Sequence, residues 1–535
     1  MSYFLKNNKI ILLLTLQLCA VSAYSQDILW EKSYGGKHAD FLMDAKPTAD
    51  YGFILAGSSL SKKSGNKTET NNGDLDYWIW KMDEKGDLDW QKNFGGSGND
   101  FLKSITLTKD GGFILAGTSN SDKEFDKADD SKGQEDFWII KLDAKGGVEW
   151  QKTIGGSWQE RIQTIIQTKE GGYILGGSST SNISGDKIND SFGNLDYWIL
   201  KLDTKGKIEW QKTMGGIYED ELRSIEQTKD NGYILGGYSN SPISGNKTED
   251  NIGVGDYWII KLNDKGIIEW QKTIGGDQDD QLYVVHQTYD KTYIVGGSSN
   301  SSNSKNKTKE NGSGTDFWLL KLDELGIIKW QETYNFGKVD VLTSLVENED
   351  HSFLIGGYAQ SEVSENNVKG LPKKKEKKGI NDYIALKINE NGEEIWNKAV
   401  GSDDEDILSN VIETRDGGYL LSGTSNGKSS RDKNGNIGSN DFWVVKLKDT
   451  SKPEKIKVTI EALPNPVVTF TNIIVNYEYS EGTATLYDLN GRQLEQNKIH
   501  GERTVPFNLS NLPSGIYIIN IDTNTHQEGI KIIKQ

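Results

Sequence analysis

The sequence holds one cysteine, Cys19, and it lies within the first 25 residues. Those residues read as a signal peptide spanning 1–25. Lys6 and Lys9 precede the apolar run Ile10–Leu14, and Ala20, Ser22, Ala23 and Ser25 supply a small-residue cleavage region. Cleavage after Ala23 or Ser25 leaves a mature chain without thiol or disulfide chemistry, although it leaves the cytoplasm. Gln17 and Leu18, just before the cysteine, are not the small residues of a lipoprotein signal. Long hydrophobic runs are missing too, since no later segment reaches the ~18 apolar residues of a membrane helix. Positive charge is short: 61 Lys and Arg face 78 Asp and Glu, a net charge of −17. Phosphate would be repelled, so no nucleic-acid partner is expected. The one basic cluster, Lys373–Lys375 with Lys377 and Lys378, reads as a solvated loop. Proline is scarce at 8 residues while glycine reaches 59, a balance that suits a turn-rich β protein.

Repetition fills the remainder. Trp30, Trp90, Trp150, Trp210, Trp270 and Trp330 recur every 60 residues, and Trp396 follows after 66. A second series begins at Asp76-Tyr77-Trp78 and runs through Asp196-Tyr197-Trp198 to Asp441-Phe442-Trp443. Seven copies of each phrase imply seven units. Each unit reads as four short antiparallel strands. In the third unit these are Ile162–Thr168, Tyr173–Gly177, Asp196–Leu202 and Ile208–Met214, with a glycine turn after the first and a long polar loop after the second. The pattern predicts an all-β fold: a seven-bladed β-propeller over 27–448. Ile28–Lys32 is an outer strand with no partners before it, and Asp441–Lys448 is a third strand with none after it. The first strand is therefore expected to complete the last blade and close the ring, hiding both edges.

Thirteen of the 15 Trp fall on the two repeated positions. A position repeated in every blade is a packing position, so these Trp are expected between the sheets. Gly176-Gly177 and its equivalents are expected to let a neighbouring blade approach. The recurring Asp before each aromatic pair is expected to bond the loop backbone. Small or polar residues recur in the innermost strand at Ser104, Thr164, Ser224, Ser344 and Asn410, where bulk would not fit near the axis; Val284 is the exception.

Strand direction puts the long loops and the links between units on one face of the ring, and the short turns on the other. Trp158 and Tyr218 break the repeat within those links, which makes them ligand candidates, glycan stacking among the options. Asp186, Asp190 and Asn194 are calcium candidates in a long loop, but the adjacent Lys187 and the lack of a calcium-loop motif favour a self-bonded loop. No other cofactor is implied. Catalysis finds little support. Arg161, Arg223, Arg415 and Arg431 are scattered, and His38, His286 and His351 lack metal spacing. Thr108–Gly112 faintly resembles the sialidase Asp-box, itself a structural turn.

The repeat stops after Lys448. Residues 449–461 read as a polar linker and 462–535 as a small β-sandwich. Pro464-Asn465-Pro466, then Leu486–Arg492 with Asp488 and Gly491, then Leu512–Tyr517 with Gly515 and Tyr517, and finally Lys531–Lys534 stand in one order. This segment resembles the type A C-terminal sorting domain of the type IX secretion system of Bacteroidota. The resemblance implies an Ig-like fold, passage through the type IX machinery, removal of the domain near its start, and anchoring of the cargo to surface lipopolysaccharide. The units themselves resemble secreted β-propeller repeats of such bacteria. Together these features point to a secreted or cell-surface binding or adhesion protein whose ligand is a glycan or protein. A polysaccharide-active hydrolase or lyase, and a structural surface component, stand as alternatives.

Overall fold

The computed structural model describes residues 26–535 apart from 313, 361–379, 451 and 453–456. The signal segment and the lysine cluster at 373–378 lie outside the described residues. Every regular element among the described residues is a strand, and 27–448 form seven four-stranded antiparallel sheets. Blade 3 comprises Glu160–Gln167, Tyr173–Ser179, Asp196–Leu202 and Ile208–Met214, in that spatial order. Ring closure is as expected: Asp27–Tyr34 pairs antiparallel with Asp441–Lys448 as the outer strand of blade 7. Trp443 donates its indole N–H to Glu31 at 2.7 Å across that seam. At the axis, Asn410 of blade 7 donates to Asp44 of blade 1 at 2.6 Å.

The third strands carry the core. Trp78, Trp138, Trp198, Trp258, Trp318 and Trp443 are fully buried, each packing between blades. Trp198 meets Phe137 of blade 2 with ring centroids 5.1 Å apart, and Tyr197 donates to the Trp258 carbonyl of blade 4 at 3.2 Å. Burying a large apolar side chain is worth roughly 1.5–3 kcal/mol, repeated here around the ring. The outer-strand Trp also pack against the inter-blade clusters, but with less cover. Trp396 is buried, but Trp150 and Trp210 are half-buried. Blades diverge with distance from the axis, so an outer ring reaches its neighbour only edge-on, as Trp150 does against Tyr173 at 5.7 Å.

The innermost strands are not regular. In blade 3, Ile162 pairs with Gly177 and Thr164 with Gly176, which leaves Gln163 as an extra residue. The same bulge occurs in all seven innermost strands, at Met43, Lys103, Gln163, Arg223, Tyr283, Thr343 and Ser409. Its cause is legible in the apolar spacing. Ile162 and Ile165 both enter the same core cluster, yet they stand three apart, and a period of two needs one inserted residue to reconcile them. Glycine makes the insertion fit. A Cβ on Gly177 would strike the Arg161 carbonyl displaced by the bulge, and a Cβ on Gly176 would strike Ile225 of the next blade.

Residues 460–534 form two packed sheets, one of three strands and one of four. Val467, Ile473, Leu486, Phe507, Ile519 and Ile532 fill the space between. The apolar pattern of the sequence reads as five strands here, Ile473–Tyr479, Thr483–Leu489, Thr504–Leu509, Ile516–Ile521 and Gly529–Ile533, and the structure adds Ile460–Leu463 and Gln493–Ile499. This sandwich sits on the short-turn face of the propeller. Glu461 accepts from Tyr51 at 2.5 Å and from Arg415 at 2.6 Å, Glu84 from Arg503 at 2.9 Å and Lys457 at 3.0 Å, and Glu502 from Lys145 at 2.8 Å. None of these contacts involves the long-loop face.

Candidate functional sites: the long-loop face and the central channel

Each long loop among the described residues folds around a buried lysine. Lys187 donates to the Ser181 carbonyl at 2.5 Å and to Ser191 at 2.8 Å. Its ammonium is buried, and that burial holds its pKa below the usual lysine range despite nearby Asp196 and Glu160. In blades 1 and 5 the same residue lies over the buried tryptophan, with Lys67 5.6 Å from Trp78 and Lys307 5.5 Å from Trp318. Gln211 joins loop to core: its carbonyl accepts from Trp198 at 3.0 Å, and its amide donates to the Asp186 carbonyl at 2.7 Å. The recurring Asp does as expected. Asp196 accepts from the Phe192 N–H at 2.6 Å, and burial, with Asp220 adding, pushes its pKa up to about 6.

The calcium candidates serve the loop separately. Asp186 is engaged by Lys132 and by the Gly155 N–H, Asp190 accepts from the Ile183 N–H at 2.9 Å, and the Asn194 N–H donates to the Tyr218 carbonyl at 3.0 Å. Among the described residues no three His, Cys, Asp or Glu side chains gather to hold a metal.

Trp158 and Tyr218 project from adjacent links and are 54% and 50% exposed. They have company. Phe125, Ile183, Ile188, Phe192, Ile217, Ile243 and Val254 are also exposed, all on the long-loop side of blades 2 to 4. The corresponding described loop of blade 5, Asn300 to Thr315, has no large apolar side chain.

The second feature is the channel on the axis, a cavity of about 460 Å³ lined by all seven innermost strands. Two neighbouring positions in each strand line it and behave differently. The recurring small polar residues stitch blade to blade: Asp44 accepts from the Ile105 N–H at 3.0 Å, Ser224 from the Val285 N–H at 3.3 Å, and Ser344 from the Val411 N–H at 3.3 Å. The bulged residues just before them carry bulk the sequence reading had excluded from the axis. The bulge turns them toward the lumen, although Ser409 still donates to the Leu42 carbonyl at 2.7 Å and Thr343 to the Gly356 carbonyl at 3.4 Å. Arg223 lies 5.2 Å from the Tyr283 ring and pairs with Glu221 at 2.7 Å. Sequence reasoning missed these residues, and their signal was disagreement: Met, Lys, Gln, Arg, Tyr, Thr and Ser at one place in otherwise matching units.

The remaining candidates are spread out. Arg431 pairs with Asp382 at 2.9 Å, Arg415 with Glu461, and Arg161 with Glu135 at 3.2 Å, so no arginine triad forms. His286 lies between Glu226 at 2.8 Å and Glu347 at 3.1 Å, linking the innermost strands of blades 4, 5 and 6. Burial works against its charge, but these two carboxylates outweigh burial and raise its pKa to about 9. The Asp-box-like segment is a turn, with Asp110 accepting from the Gly112 N–H at 3.0 Å.

In the sandwich the sorting-motif residues are tie points. Asn465, flanked by Pro464 and Pro466, donates to the Lys531 carbonyl at 2.7 Å and accepts from the Ile533 N–H at 2.9 Å. Asp488 accepts from the N–H groups of Asn490 and Arg492 at 2.9 and 3.0 Å, closing the turn that Gly491 completes at positive φ. Tyr517, two residues after Gly515, donates to the Pro513 carbonyl at 2.8 Å.

Residues 461–535 match the family of the secretion system C-terminal sorting domain. A 231-residue stretch, 41% of this chain, is 23% identical to the regulatory protein FlaEY of Caulobacter vibrioides and covers 24% of it. The chain thus spans about a quarter of the length of that curated relative. Among solved structures, a fungal alcohol oxidase of the AA5 family aligns over 95% of this chain and 99% of its own, at TM-score 0.43 and 11% identity. The WD40 domain of Neurospora crassa Pan2 aligns over 66% of this chain and 94% of its own, at TM-score 0.29 and 10% identity. The fold and the tail define a class: an all-β, propeller-like protein with a secretion sorting domain. That domain implies engagement with the type IX machinery and export to the exterior or the cell surface. Among the described residues no helix is long and apolar enough to cross a membrane.

Proposed function

We propose that this is a bacterial surface or secreted binding protein of the Bacteroidota type, which captures a glycan or protein ligand on the long-loop face of blades 2 to 4. The observation behind this reading is the set of exposed apolar side chains that accompanies Trp158 and Tyr218 on blades 2 to 4, a sector richer in them than the rest of the described long-loop face, where Leu60, Val339 and Ile437 are exposed singly. Flat aromatic rings with polar tips suit sugar faces and protein side chains alike. The sandwich occupies the opposite face, so delivery and binding do not compete for surface. The loops carry their own internal cation, the ammonium of Lys187 and its equivalents, and on this reading binding needs no calcium.

The test is a glycan and host-matrix binding screen with the chain from Gln26 onward, with and without a chelator. Trp158→Ala with Tyr218→Ala should abolish a hit while leaving the unfolding temperature unchanged, and chelation should change neither. Binding to nothing by a folded protein would count against the reading. For delivery, the sorting domain is removed near its start and the propeller is left attached to surface lipopolysaccharide. Truncation at Glu461 should trap the protein in the periplasm; continued surface display would sink this part.

A further inference from the structure

The ring of bulged residues has chemistry that the loop face does not share. The channel is lined by Lys46, Lys103 and Arg223 against a single carboxylate, Asp44, in a chain of net charge −17. Asp44 is already neutralised by Lys46 at 2.8 Å and accepts from Asn410. Lys103 makes no hydrogen bond or ion pair among the described residues, and the buried Nε of Arg223 has no acceptor, since Glu221 takes only its terminal nitrogen. An arriving oxyanion would give both cations a charged partner and would satisfy the buried Arg223 Nε. Lys103 and Arg223 line the same channel, and burial, and next the charge of Arg223, hold the Lys103 pKa below the usual lysine range.

The rest of the lining sets the ligand's body. Gln163 offers an unengaged amide, Thr343 and Ser409 donate to the Gly356 and Leu42 carbonyls and offer their hydroxyl oxygens as acceptors, and Tyr283 presents a ring beside Arg223. A cavity of about 460 Å³ is far larger than one oxyanion and falls in the ~300–1,000 Å³ range of small-molecule sites. A carboxylate attached to a hydroxylated ring meets each of these features. We propose that the central channel binds a monomeric sugar acid, its carboxylate between Lys103 and Arg223 and its hydroxyls on Gln163 and the channel hydroxyls. This site is independent of the loop-face ligand, and either can fail without the other.

The test is calorimetric titration of the chain from Gln26 onward with D-galacturonate and D-glucuronate, alongside D-galactose, D-glucose and inorganic phosphate. The expected result is saturable binding of a uronate at millimolar concentration or below, with the neutral sugars at least tenfold weaker. Lys103→Met and Arg223→Gln should each weaken uronate binding at least tenfold. Trp158→Ala should leave it unchanged. Should Lys103→Met fail to fold, Lys103→Gln and Gln163→Leu replace it, with losses of the same sign expected. No uronate binding by the folded parent, binding untouched in the folded variants, or phosphate binding as tight as the uronates would each overturn the assignment.

Discussion

The outer half of each blade and its innermost strand come from one repeated sequence, yet they use repetition in opposite ways. In the outer half the repeated residues do the packing: Trp198 and its equivalents are buried between sheets, and Gln211 ties them to the loop. In the innermost strand the repeated residues build a frame, and the residue that the frame displays is free to differ. A bulge separates the two tasks. Asp44, Ser224 and Ser344 accept backbone N–H groups from the next blade, while Gln163 and its equivalents line the lumen. Constancy therefore marks structure in this protein, and the positions that break it mark candidate chemistry.

That contrast can be broken most severely from the outside. Trp198→Ala should cost about 3–5 kcal/mol by the usual penalty for emptying a core aromatic site, read as a lower denaturation midpoint. Gly237→Ala attacks the frame. Its Cβ would strike the Glu221 carbonyl at the bulge, and a loss of about 2–3 kcal/mol is expected. Acidity probes both regions together. Burial raises Asp196, Asp256 and Asp406 to about 6, so their folded forms hold protons more tightly than the unfolded chain does. Stability from these groups falls as pH rises from about 4 to 6. His286, raised to about 9, contributes fully below about 6.5 and loses its contribution as pH climbs toward 9. The unfolding temperature should therefore decline from pH 5 to pH 8, and His286→Gln should flatten the upper part of that slope. The smallest effect belongs to the lumen: Gln163→Leu should change stability by less than about 0.5 kcal/mol.

Much of this architecture was legible in the sequence. The 60-residue spacing of Trp90 to Trp330 announces the units, and Ile28–Lys32 standing alone announces the closing strand. The bulge was harder to read. Ile162 and Ile165, like Leu222 and Ile225, stand three apart, which fits neither the strand period of two nor a helix carried further along the chain. Read as a strand with one residue too many, that spacing locates Lys103 and Arg223 in the lumen. Gln493–Ile499 escaped for a different reason: it is a mostly polar edge strand whose pairing is set by its neighbour rather than by its own alternation. Trp158 and Tyr218 were legible as off-pattern aromatics, but the apolar group around them is assembled from three blades and has no signature in any one unit.

The seam between Glu31 and Trp443 also dictates an order of events. Its two sides lie 412 residues apart in the chain, so the first strand made waits for the last blade. Closing a loop of that length costs several kcal/mol of chain entropy before any contact across the seam is gained. Each of the six internal blades can form from contiguous sequence, but the ring is completed in a single late step. A chain arrested one blade short would carry its opening strand unpaired and its axis open along one side. Completeness is thus checked by the clasp itself.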